Sequence, residues 1–104
     1  MSGDPRLNVY RDEPIVEQAV TRAAVILATQ RRLAILMQER VALDIPFERL
    51  RRVQFDIERE RAATLVIVPE RPTDEPQVLM VHADEYAPVA NVLVHIGRVL
   101  AEPV

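Results

Sequence analysis

The sequence predicts a mainly β fold with one C-terminal α-helix, contained in a single domain. Three observations carry this. From Leu33 to Phe47 the odd positions are apolar in seven of eight cases, while Gln38, Arg40 and Asp44 fall between them. The same alternation resumes at Val53, Phe55 and Ile57, interleaved with Gln54, Asp56 and Glu58. After Ala83 the spacing lengthens, and Val89, Leu93, Ile96 and Leu100 recur at the interval of an amphipathic helix. Side chains alternate faces along a strand, so the first two patterns describe half-buried strands and the third describes a helix with one apolar stripe.

Taken in chain order, residues 1–12 read as a flexible N-terminal segment and residues 13–104 as the domain. Pro14 to Thr29 admits two readings: short strands near Val16 to Val20 and Ala23 to Thr29, or one alanine-rich helix. Propensity favours the helix, and the two glycines, Gly3 and Gly97, are few for a chain of tight hairpins. The strand reading is nevertheless preferred, and the hairpin of Leu33 to Phe47 has its turn placed near Gln38 to Arg40. Phe47, Leu50, Val53 and Ile57 also fit a helical stripe opening at Pro46, but that leaves Phe55 on the wrong side. Leu65 to Val68, ending at Pro69, and Val78 to Val81 are β-branched runs joined by the turn-rich Glu70 to Pro76, and they are expected to pair as a hairpin. In the last helix Asp84 is placed as the cap and Pro88 in the first turn. Gly97 is expected where the helix backbone approaches the sheet closely, offsetting a cost of about 1 kcal/mol relative to alanine.

The chain has 104 residues, 49% hydrophobic and 28% charged, which is globular composition. Arg22, Arg31 and Arg32 interrupt the apolar region from Ile15 to Met37, so no transmembrane helix is expected. Asp4 and Pro5 stand where a secretory signal carries basic residues, and there is no cysteine, which together imply a cytoplasmic protein. All 13 basic residues are arginine, a pattern that codon bias explains before function does. Net charge is −3, falling to −4 over residues 62–104 alone, so the basic face that phosphate neutralisation needs is missing and no nucleic-acid partner is expected.

Catalytic chemistry finds little support. His82 and His95 are the only histidines, and with no cysteine and no paired-histidine spacing they read as structural or solvent-facing residues without a metal. Asp56, Glu58 and Glu60 repeat at period two and would share a strand face, where pairing with arginines is expected over acid–base work. No glycine-rich phosphate loop is present, and Ser2 lies in the N-terminal segment, so neither a cofactor nor an enzymatic activity is expected. What remains is basic: Arg31 and Arg32, and the cluster Arg49, Arg51, Arg52, Arg59 and Arg61 interleaved with Glu48, Glu58 and Glu60. Arginine forks bind carboxylates bidentately, so these seven are the candidate binding residues, for an acidic peptide or a second subunit.

Three stretches carry a resemblance to a known family: Ile26-Leu27-Ala28-Thr29-Gln30-Arg31-Arg32-Leu33, Leu43-Asp44-Ile45-Pro46-Phe47-Glu48-Arg49-Leu50, and the final helix. The first looks like an apolar strand followed by Thr-x-x-Arg-Leu, and the second like the Ile-Pro-Leu-x-x-Ile entry to a strand. In this order the chain resembles bacterial PH-like domains of the pleckstrin-homology superfamily, including the GRAM-like ones. The resemblance implies a bent antiparallel sandwich or partly open barrel, closed at one end by the helix and serving as an adaptor for lipid headgroups, peptides or proteins. The chain departs from the lipid-binding pattern, having only Arg31 and Arg32 in the relevant hairpin and no tryptophan, so phosphoinositide binding is not expected. The expected function is a non-enzymatic interaction module for a protein or peptide partner, with a homo-oligomer formed through exposed sheet edges. The alternative is an α+β regulatory or accessory subunit that assembles through a long N-terminal helix.

Overall fold

In a computed structural model describing residues 13–38 and 40–101, the alternating patterns become seven strands. The proposed flexible segment, residues 1–12, and Glu39 of the predicted turn lie outside the described residues. Strands β1 (Glu17–Val20), β2 (Val25–Ala28), β3 (Arg32–Leu36) and β4 (Val41–Pro46) form one antiparallel sheet in chain order. A single 3-10 turn, Phe47–Arg49, leads into β5 (Leu50–Asp56). With β6 (Ala63–Pro69) and β7 (Gln77–Val81) this strand makes a second antiparallel sheet. A 3-10 turn, Ala83–Glu85, then opens helix α1, Tyr86–Ala101. The two sheets are not closed into a barrel, and the long N-terminal helix of the alternative reading does not form, since β1 and β2 occupy its place.

Two hairpin turns do without glycine because threonine supplies their hydrogen bonds. The Thr21 hydroxyl accepts from the backbone N–H groups of Ala23 and Ala24 at 3.2 and 3.0 Å, closing the β1–β2 turn. The Thr29 hydroxyl accepts from Arg31 and Arg32 at 3.1 and 3.0 Å, closing β2–β3. Local side-chain bonding of this kind substitutes for the turn residues that glycine counting looks for. In the β5–β6 turn Glu60 takes φ 63°, the left-handed conformation that glycine usually fills.

The central core joins inward residues of both sheets with the helix: Ile26, Leu33, Ile35, Leu43 and Ile45 from the first, Phe47 from the 3-10 turn, Leu65, Ile67, Leu79 and Val81 from the second, and Val89, Val92 and Ile96 from α1. The alternation of Leu33 to Phe47 holds apart from Val41, which is exposed because the register slips between Ile35 and Leu36. The even positions are not all solvated. Ala34 and Leu36 are buried in a second cluster, together with Leu27 of the neighbouring strand, against Ile15 and Val25. Ile57, placed inward by the sequence pattern, lies beyond the end of β5 and is exposed.

Three expectations for the helix change. Val92, rather than Leu100, is fully buried, and Leu100 is exposed. Asp84 does not cap α1. It lies in the preceding 3-10 turn and forms a fork with Arg22, while the carboxylate of Glu85 accepts the His82 N–H at 2.9 Å. Gly97 is not pressed against a sheet, because a Cβ built there meets nothing within 4 Å.

Candidate functional site

Helix α1 is fastened at its start and past its middle. Tyr86 packs edge-on against Phe55 of β5, with ring centroids 5.8 Å apart. Farther along, His95 Nε2 donates to the Thr29 carbonyl at 2.6 Å, and its ring meets Phe47 edge-on at 6.0 Å. His95 therefore joins the helix to the β2–β3 turn and to the entry of β5, a structural role. Between β5 and the C-terminal half of the helix, from Leu93 to Leu100, lies a groove.

This groove has a volume of about 400 Å³. Its walls are Leu50, Val53 and Phe55 on the strand and Leu93, Ile96 and Leu100 on the helix, with Gly97 between the last two and Arg51 and Arg52 also lining it. The two arginines arise from one backbone irregularity. The pairing of β5 with β6 slips between Leu50 and Arg52, so two successive residues stand between the more buried Leu50 and Val53. Neither arginine has an ion-pair partner among the described residues. Beside the groove, β5 is the edge of its sheet, and among the described residues no strand pairs with its outer side.

A second hollow adjoins the groove and shares Leu100 with it, lined also by Glu13, Arg31, Arg32, Phe47 and Glu48. Arg32 is committed there to Asp44 at 3.0 Å and Glu13 at 3.5 Å, whereas Arg31 is exposed and without an ion pair among the described residues. The structure thus places Arg31, Arg32, Arg51 and Arg52 on adjoining hollows. It does not bring the whole predicted cluster together. Arg49 sits in the 3-10 turn, where its carbonyl accepts from the Glu70 N–H at 2.6 Å. Arg59 and Arg61 lie in the β5–β6 turn, at the far end of the strand from Arg51, with Arg61 paired to Glu58 at 3.6 Å.

The acidic trio does not share a strand face. Asp56 ends β5, opposite Thr64, and takes a hydrogen bond from Gln54 at 2.8 Å, while Glu58 and Glu60 fall in the exposed turn. Among the described residues no group of three or more His, Cys, Asp and Glu is placed to hold a metal ion.

The most organised charged cluster lies elsewhere and was not legible as a unit. Arg22, in the β1–β2 turn, forks onto Asp84 at 2.9 and 3.0 Å and reaches Glu85 at 3.0 Å. The Glu85 carboxylate also accepts the Arg22 N–H at 2.8 Å. Burial pushes the Glu85 carboxyl up, but the N–H donors of His82 and Arg22 and the Arg22 charge outweigh it and hold the group below its ordinary value. The hydrogen bond from the Arg22 guanidinium lowers Asp84 likewise. Its residues are more than sixty positions apart in the chain, so only the fold discloses the pairing. Comparisons of the chain with protein-family models, with curated proteins and with solved structures found no match.

Proposed function

We propose that this chain is a non-enzymatic, PH-like adaptor domain that binds an extended protein or peptide segment along the outer edge of β5, in the groove facing α1. The observation that carries the reading is the coincidence of three features at one place: a strand edge and two arginines that, among the described residues, have no strand or ion-pair partner, and the apolar trough that the arginines line. An edge strand offers a row of backbone donors and acceptors, and an added strand satisfies them while its alternate side chains enter the trough. Arg51 and Arg52 select for a carboxylate in that segment, by the charge-assisted fork that arginine makes best. The order of strands and the helix supports the PH-like assignment, which also predicts binding without chemistry.

The test is selection of random peptides displayed on phage against the full chain, followed by amide hydrogen exchange on the enriched peptides. Enriched sequences should pair an apolar residue with Asp or Glu and should protect β5 amides. The double variant Arg51→Glu, Arg52→Glu should lose them. Enrichment that survives this charge reversal, with β5 amides exchanging as before, overturns the proposal.

Self-association has its own supporting observation. On β7, the other edge of the second sheet, Val78 and Met80 are 65% and 61% exposed. Antiparallel pairing of β7 with a second copy would set Val78 of one chain beside Met80 of the other and extend the sheet. Light scattering that gives the monomer mass, 11.8 kDa, at high concentration removes this second reading.

A further inference from the structure

We infer that Gly97 is a specificity notch, which holds space in the groove for one large apolar side chain of the bound segment. The inference rests on the groove reading above and names what the groove selects. Glycine inside a helix weakens it, because no side chain packs and more backbone freedom is lost on folding. Such a residue normally has an intrachain reason, and each of these fails at Gly97. Its φ is not positive, so the backbone conformation is open to any residue. It lies inside α1, which continues to Ala101, so it is not a terminating glycine. A Cβ built on it meets nothing within 4 Å, so no neighbour excludes a side chain.

The position of the empty volume supplies the reason that the chain itself does not. Gly97 lines the groove between Ile96 and Leu100, across from Leu50, Val53 and Phe55. All of these walls are apolar, so the space left by the missing side chain fits a leucine, methionine or aromatic group better than a charged one. Arg51 and Arg52 line the same groove and are without ion pairs among the described residues, which places an acidic residue near that anchor in the bound segment. Strand side chains alternate, so the acid belongs about one or two residues from the anchor. The occupant is therefore an extended acidic peptide with one bulky apolar residue.

The experiment uses peptides selected on the wild-type chain from a random phage-displayed library, remade synthetically and titrated by fluorescence polarisation against Gly97→Ala and Gly97→Leu. Gly97→Ala should raise Tm by about 5 °C through helix propensity, yet weaken peptide binding roughly fivefold by occupying the notch. Gly97→Leu should weaken it by more than about thirtyfold, with Tm and circular dichroism reporting whether the fold is kept. A glycine with no binding role would give the gain in Tm without the loss of affinity. Peptides that bind both Gly97 variants as tightly as wild type, but are lost on Arg51→Glu, overturn the notch and leave the groove standing. Selected peptides that carry only small side chains also overturn it. Absence of enrichment, or binding indifferent to Arg51 and Gly97 alike, removes the groove reading and the notch together.

Discussion

Glu85 gathers two backbone N–H donors and the Arg22 guanidinium around one carboxylate that is 7% exposed. Removing the acceptor leaves two partly buried N–H donors and the Arg22 charge without it, so Glu85→Ala should cost about 1 kcal/mol of stability, measured by urea denaturation. The pH dependence follows from the direction of the shift. Glu85 and Asp84 are both lowered in the folded chain, so they bind protons less readily there than when unfolded. Their stabilisation is complete above the ordinary carboxylate range, near about pH 4, and is lost as the pH falls through the lowered folded values. Glu85→Gln should therefore flatten the loss of stability below about pH 5, and an unchanged acid limb would refute the assignment. Glu60 presents the opposite case. Its left-handed backbone is strained for a residue with a Cβ, and its side chain is exposed. Glu60→Gly should stabilise the chain by about 0.5–1 kcal/mol, read as an upward shift in Tm.

Among the elements, the two threonine turns decide how the first sheet is built. The segment Pro14 to Thr29 that holds β1 and β2 also has local helix propensity, so its turns matter to the outcome. Thr29 is 1% exposed, accepts from Arg31 and Arg32, and donates to Glu13 at 2.8 Å. Thr29→Val keeps the shape and removes these bonds, and should cost about 1–2 kcal/mol with the β2–β3 amides exchanging faster. The slip at the start of β5 is equally specific in its effect, since a regular strand would turn Arg51 and Arg52 to opposite faces. Helix α1 shows what an amphipathic pattern leaves open. The 3.6-residue period set its existence, while packing against the core buried Val92 and left Leu100 exposed.

At the scale of the whole molecule, two sheets of four and three strands share one core with the helix. Ile35 is fully buried where the first sheet enters that core, and Ile35→Ala should destabilise the chain by about 2–5 kcal/mol in a denaturant titration. The net charge of −3 conceals a local basic wall, since Arg51 and Arg52 are the charged residues that line the groove. Binding of an acidic peptide there should weaken as salt is raised across the range where the Debye length falls from about 10 to 3 Å. Salt-independent affinity would mean that Arg51 and Arg52 do not contact the ligand. Among the described residues no helix is long and apolar enough to cross a membrane.

The order of residues alone was enough to read the mainly β class, the hairpin turn near Gln38, the strand at Val53 and Phe55, the pairing of the last two strands and the C-terminal helix. These are properties of local periodicity, and periodicity is written in the order of residues. Folding was needed to line a groove with Arg51, Arg52 and Gly97, to set Arg59 and Arg61 apart from them, and to bring Arg22 to Asp84 and Glu85. Each of those depends on where a register slips or how a helix lies across a sheet. Such placements are set by packing between segments far apart in the chain, for which no nearby residue carries the signal.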